Sequence, residues 1–147
     1  MLMIRKAVTE DLSRIGEILV FVKRIRFRPI FQDDDFSFNE LQVLKVAKEY
    51  EQYLPRIWVY DDGIVKGLIH IEGDEVKELY VDHFFQDQGI GSKLLEYAIK
   101  EFDVKFLWAL EKNPEAIRFY ERFGFRLNGQ RRFEEGTPEY LVMLVRD

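Results

Sequence analysis

The chain holds 147 residues, enough for one domain (1–147) with a substantial core, and its 47% apolar and 15% aromatic content excludes a disordered polymer. Its net charge of −5 disfavours a nucleic-acid binder, which would carry a basic face, and suits either plain solubility or a cationic substrate. With no cysteine, disulfides, thiolate metal sites and an acyl-cysteine intermediate are excluded, and His70 and His83 lack ligand spacing, so no metal is expected. No apolar run is long enough to span a bilayer, so no membrane partner is expected. Met1-Leu2-Met3-Ile4-Arg5-Lys6 is soon followed by Glu10 and Asp11, unlike a signal peptide, and a cytoplasmic location is expected.

Residues 2–7 read as a first strand. Thr9 is placed to cap a helix, with Glu10 and Asp11 favourable in its first turn. Leu12, Ile15, Leu19 and Val22 recur at helical spacing, so an amphipathic helix is expected from 11 to about 26, stopped by Arg28-Pro29. A loop at 31–36 carries Asp33-Asp34-Asp35, a run that could attract a polyamine or basic peptide but is more often a solvated loop. Lys23, Arg24, Arg26 and Arg28 lie close and offset it. Ser37-Phe38-Asn39-Glu40 has capping-box spacing and opens a second helix with Leu41, Leu44 and Ala47 on its apolar stripe, ended by Pro55. Strands at 56–60 and 64–72 flank an Asp61-Asp62-Gly63 hairpin turn, and Gly73-Asp74 leads into a strand from Glu75 to Val81. A helix at 92–100 and a buried strand at 104–110 follow. Asn113-Pro114-Glu115 opens a further helix, Gly124 closes it, and strands at 125–133 and 139–145 end the chain. The order β-α-α-β-β-β-α-β-α-β-β implies an α/β fold, a mixed sheet with helices on both faces.

Between the central strand and the helix that follows it lies Gln86-Asp87-Gln88-Gly89-Ile90-Gly91. The first N–H groups of a helix have no internal partner and sit at its positive end, so this junction suits a phosphate. Gly89 and Gly91 let an anion approach the backbone. The dinucleotide fingerprint fails, because Leu94 stands where its third glycine belongs, and the Gly-Lys-Ser/Thr of the mononucleotide loop is absent.

Gln86-x-x-Gly89-x-Gly91 resembles the Q/R-x-x-G-x-G/A signature of the GNAT-type N-acetyltransferase superfamily. Asn113-x-x-Ala116-x-x-Phe119-Tyr120-x-x-x-Gly124-Phe125 is similar to that family's second signature, N-x-x-A-x-x-x-Y-x-x-x-G-F. The resemblance covers nearly the whole chain and implies the acyl-CoA N-acyltransferase fold. It implies transfer of an acetyl group from acetyl-CoA to a primary amine of a small molecule or protein, by direct attack on the thioester. The amides of Asp87, Gln88, Gly89, Ile90, Gly91 and Ser92, behind Gln86, would hold the pyrophosphate. Leu79, Tyr80 and Val81 would offer a strand edge to the pantetheine arm, which Asn113 would also contact. The Tyr120 phenol would protonate or hydrogen-bond the departing thiolate, and a backbone N–H near Val81 would stabilise the carbonyl oxygen. Asp87 brings a negative charge where family members often carry a basic residue, so its side chain should point to solvent.

The general base has three candidates. Some family members place a glutamate five residues ahead of the asparagine, and here that position is Trp108. Others use a carboxylate or histidine near the start of the central strand. Glu75 matches that place and Glu78 is the neighbouring alternative, with a water chain as the third. Strict alternation sends these two glutamates to opposite faces. Plainer readings stand beside these: Asn113 as a helix cap alone, Phe119 and Phe123 as core, Glu75 as a solvated strand edge. Trp108 also keeps open an acyl-CoA-binding sensor without turnover, and Phe84, Phe85 and Trp108 a pocket for a longer acyl group. Dimerisation is common in the family, and no residue here requires a homodimer.

Overall fold

Alternation sorts the strand residues between two core layers. In Ile57–Asp61 (β2), Ile57 and Val59 join one layer while Trp58 and Tyr60 join the other. The computed structural model describes residues 3–33 and 42–147. Its other strands are Ile4–Lys6 (β1), Val65–Glu72 (β3), Glu75–Val81 (β4), Phe106–Leu110 (β5), Arg126–Phe133 (β6) and Tyr140–Val145 (β7). They form one seven-stranded sheet in the order β1-β2-β3-β4-β5-β7-β6. Every neighbouring pair is antiparallel except β4 and β5.

The helices are Leu12–Val22 (α1), Arg28–Phe31 (α2), Val43–Tyr50 (α3), Ile90–Phe102 (α4) and Pro114–Glu121 (α5). Ile15 and Leu19 of α1 and Val46 of α3 pack on the Ile57, Val59 and Leu68 face. Leu94, Leu95 and Ala98 of α4 pack on the opposite face with Ile69, Val76, Leu107 and Leu144. Each fully buried Leu or Ile contributes about 1.5–3 kcal/mol over its exposed state, so both helical layers anchor the sheet. The expected mixed sheet with helices on both faces is what the chain forms.

Local boundaries differ in instructive places. Arg28-Pro29 does not stop the first helix. After α1 the chain runs through a π-helical turn, Lys23–Phe27, and then through α2 across Pro29. Proline sits in the first turn of α2, where its missing N–H costs nothing, and the π turn before it loosens the helical ladder. The stop comes at Gln32, which is left-handed at φ 53°. Pro55 does not end α3 either: the chain has already tightened into 3-10 turns over Glu51–Arg56, which carry Pro55 inside. The capping box at 37–40, with Asp34 and Asp35 of the acidic run, lies outside the described residues.

Thr9 does not cap the first helix. Asp11 reaches back instead, its Oδ2 accepting the Val8 N–H at 2.8 Å. Arg5 holds both Asp11 oxygens at 2.8 and 2.9 Å and also reaches Asp61 Oδ2 at 3.0 Å. One guanidinium thus ties β1, the start of α1 and the end of β2. Those Arg5 hydrogen bonds, with the Val8 amide, outweigh burial and keep the Asp11 carboxyl below the usual carboxylate range. A depressed folded pKa contributes stability above the unfolded value of about 4, lost as pH falls through the lower folded value. Asp11→Asn should therefore cost about 1–2 kcal/mol at pH 7. In urea titrations the gap to the wild type should narrow at pH 3.

Candidate active site

The parallel join between β4 and β5 is short. It consists of Glu75 opposite Phe106 and Val76 opposite Leu107. Beyond it β4 keeps its ladder with β3 as far as Val81, while β5 keeps its own with β7. Leu79, Tyr80 and Val81 are left with one unpaired edge. Leu79 and Val81 turn toward the α4 layer and Tyr80 toward the α1 layer.

The glycine loop closes the C-terminal end of this opening. Gly89 is left-handed at φ 78° and precedes α4 with no side-chain cap. The first helical bond runs from Lys93 N to Gly89 O at 3.0 Å, so the N–H groups ahead of it remain free to meet an anion. Asp87 is itself left-handed at φ 64° and exposed, with its charge in solvent as expected. Gln88 is exposed, Ser92 half-buried, and Ile90 is buried and anchors the turn. Gln86 folds back, its Nε2 donating to Val81 O at 3.1 Å. A Cβ added at Gly91 would lie 3.6 Å from both Val81 Cγ2 and Phe119 Cζ, so β4, the loop and α5 converge there.

Asn113 caps α5, its Oδ1 accepting the Ala116 N–H at 3.3 Å. Phe119 and Phe123 pack at a tilt of 55° with centroids 5.2 Å apart, against the α4 core layer. Tyr120 packs edge-on between Phe119 at 5.3 Å and Phe125 at 6.1 Å. It is half-buried, and its hydroxyl has no hydrogen-bond partner among the described residues. Burial pushes the phenol above its ordinary pKa, so it stays protonated.

A second polar group lies on the α1 and α3 face of β4. A β-bulge between His70 and Ile71 of β3 leaves Lys77 as an extra residue in β4, because His70 pairs with Glu78 and Ile71 with Val76. The extra residue breaks the alternation. Val76 and Leu79 share one core layer, so Glu75 and Glu78 lie together on the opposite face, not apart as strict alternation predicts. Glu78 accepts a short hydrogen bond from the Tyr50 hydroxyl, and Lys23 Nζ stands 3.9 Å from its Oε2. Burial alone would raise its carboxyl. His70, Lys23, Tyr50 and Tyr80 outweigh that and hold it below the usual carboxylate range. Glu78 lines a cavity of about 450 Å³ with Glu49, Tyr50, Tyr53, His70, Glu72 and Lys77. Glu75 pairs instead with Lys77 at 3.7 Å, in the joined part of the sheet.

A family profile, Acetyltransferase (GNAT) domain, matches residues 54–127, half of the chain. The chain belongs to the GNAT acetyltransferase family. Peptidyl-lysine N-acetyltransferase YjaB of Salmonella typhimurium is 27% identical over 99% of this chain and 98% of its own. Spermine/spermidine N(1)-acetyltransferase of Bacillus subtilis is 32% identical over 59% of this chain and 68% of its own. The solution structure of apo YjaB from Escherichia coli superposes with a TM-score of 0.74 at 22% identity, covering 97% of this chain and 95% of that one. YncA of Salmonella typhimurium, a putative acetyltransferase solved with acetyl-CoA, gives 0.68 at 19% identity, over 97% and 91%.

As a GNAT member the protein is an acetyl-CoA-dependent N-acetyltransferase, and its residues fit that co-substrate. The loop offers free amides, the β4 edge is unpaired, and α5 carries an unpartnered phenol. Trp108, where some relatives of this family carry a glutamate, lies under the Arg132 guanidinium at 4.3 Å and holds no proton-accepting group. Among the described residues no group of three metal-binding side chains occurs. Two partners escaped the sequence reading. Arg26 donates to Gln86 Oε1 and, at 2.9 Å, to Glu115 Oε2, joining the loop to α5 across 60 and 89 residues of chain. Tyr50 meets Glu78 from 28 residues away. Around Glu78 only His70, a lone titratable group between Ile69 and Ile71, carries a sequence signal.

The two loop glycines should respond differently to alanine. Gly89→Ala forces a side chain into the left-handed region and should cost about 1–2 kcal/mol. Gly91→Ala finds only ordinary contacts at 3.6 Å and should change stability by less than about 0.5 kcal/mol. Thermal melts of the two variants, with and without coenzyme A, check both.

Proposed function

We propose that this acetyltransferase acts on the primary amine of a lysine side chain or a polyamine, which enters through the cavity at Glu78. Glu78 accepts the ammonium proton by way of cavity water, leaving a neutral nitrogen to attack the thioester. The Tyr120 phenol donates to the departing thiolate from the other side of the opening, and the N–H groups of 87–92 hold the pyrophosphate. Asn113 and the edge of Leu79, Tyr80 and Val81 hold the pantetheine arm. Glu75, on the same face but outside the cavity lining, holds Lys77 at 3.7 Å. We place the enzyme in the cytoplasm as a single domain.

The observation that carries this reading is the pair of environments on either side of β4. An ionised carboxylate lines a cavity on one face, and a protonated, unpartnered phenol stands at the other. Relatives that carry the names peptidyl-lysine and spermine/spermidine acetyltransferase support the acceptor class. Carboxylates of Glu49, Glu72 and Glu78 against the single cation Lys77 in the cavity lining support a cationic acceptor.

Thiol release from acetyl-CoA across polyamines, lysine peptides and amino acids tests the reading. Tyr120→Phe should lower kcat roughly a hundredfold while coenzyme A still raises the melting temperature. Glu78→Gln should lower kcat by a similar factor, and Glu75→Gln by much less. A flat panel with a preserved thermal shift would favour the sensor without turnover.

A further inference from the structure

We infer that His70 is a positioning residue for Glu78: the neutral ring leaves Glu78 free to take the acceptor's proton, and the protonated ring ties it to Glu72. The inference rests on Glu78 being the proton acceptor. His70 is 4% exposed. Its Nε2 lies 3.2 Å from Glu72 Oε1, within hydrogen-bond reach. Its Nδ1 faces Glu78 Oε1 across 3.9 Å, too far for a hydrogen bond. That nitrogen is buried and has no partner among the described residues. Buried polar atoms without partners are exceptions that need a cause.

The ring has three protonation states, and two of them leave a conflict. With its proton on Nε2, it donates to Glu72 and turns a lone pair toward the Glu78 carboxylate. With its proton on Nδ1, it aims that N–H at Glu78 across 3.9 Å and turns the lone pair toward Glu72. The imidazolium alone turns an N–H toward each carboxylate.

Other groups face the ring from every neighbouring element. Glu72, on its own strand, is held by Arg56 at 3.2 Å. Glu78, on β4, is met by Tyr50 of α3, by Tyr80 and by Lys23 of the π turn. Tyr53 lies with its ring 5.0 Å away, and Glu49 and Lys77 line the same cavity. The two carboxylates at 3.2 and 3.9 Å are the charges nearest the ring nitrogens. A positive ring facing Glu78, added to the Tyr50 donor, favours its ionised form and makes it a poorer base.

The test is the pH dependence of kcat/KM for one accepted primary amine at saturating acetyl-CoA. The acceptor's own titration is common to every variant. His70→Gln should carry activity to lower pH, moving the acid limb down by about one pH unit. Glu72→Gln removes a carboxylate that favours the imidazolium, so it should lower both the acid limb and the NMR titration midpoint of the His70 ring. A His70→Gln profile that superimposes on the wild type would overturn the inference. Should that variant fail to fold, the wild-type ring decides: an imidazole that keeps its charge across the acid limb would overturn it too. Glu78→Gln separates the two readings. Full turnover in that variant removes the base assignment and this inference with it. Lost turnover, with an unshifted His70→Gln profile, removes this inference alone.

Discussion

Two parallel pairs, Glu75 with Phe106 and Val76 with Leu107, are all that join β4 to β5. The rest of the site depends on that join being so short. Its closed end is tied by the Lys105 N–H to Asp74 O at 2.6 Å and by Arg146, which donates to Val104 O and pairs with Asp103. Past Val76 each strand follows its other neighbour, β4 with β3 and β5 with β7. A strand edge in the middle of a sheet leaves backbone donors and acceptors unmet, at about 1–3 kcal/mol each if they are also shut off from water. Such an edge persists where water or an extended ligand can reach it, and a pantetheine arm with its two amides is such a ligand.

The two faces of β4 hold their protons differently. On the α4 side, Tyr120 is enclosed by Phe119 and Phe125, and burial favours its neutral, proton-bearing form. On the α1 side, Glu78 is buried too, but donors from Tyr50 and the charge of Lys23 favour its ionised form. The protonated phenol and the ionised carboxylate are thus set apart by environment, on opposite faces of β4. The arrangement has a counterpart at the mouth of the loop. Arg26 holds Gln86 and Glu115 together, and Gln86 in turn holds the Val81 carbonyl. The side chain that opens the phosphate signature therefore also fixes the end of the unpaired edge.

Much of this was legible in the sequence, for physical reasons that differ from residue to residue. The loop and its helix were readable because glycine, helix start and strand end are neighbours in the chain. Asn113 was readable as a cap because capping is a local act over three residues, and the structure shows that bond. The acetyl-CoA chemistry followed from two signatures whose spacing spans the loop and α5. What was not legible depends on contacts between distant segments. Arg28-Pro29 read as a stop because a proline rule knows nothing of a π turn placed just before it. Thr9 read as a cap because nothing local announces that Arg5 and Val8 would claim Asp11 first. Glu75 and Glu78 share a face that alternation does not predict, because a bulge is set by register against β3 and period two has no place for an added residue.

That bulge has a further consequence for the charge of the cavity. By shifting the phase of β4 it gathers His70, Glu72, Glu75 and Glu78 on one face, with Glu72 directly opposite Glu75 in the ladder. Like charges across a strand pair are destabilising. Each carboxylate here has its own cation: Arg56 for Glu72 at 3.2 Å, Lys77 for Glu75 at 3.7 Å, Lys23 for Glu78 at 3.9 Å. The first of these is exposed and worth little, and the last two are too long to be tight pairs. The strip is therefore compensated rather than optimised. A sheet selected for stability alone would bury apolar side chains at these positions, as β3 does with Leu68 and Ile69 one step away. Weakly paired carboxylates around a cavity retain the capacity to meet an incoming ammonium, which tightly paired ones would have spent.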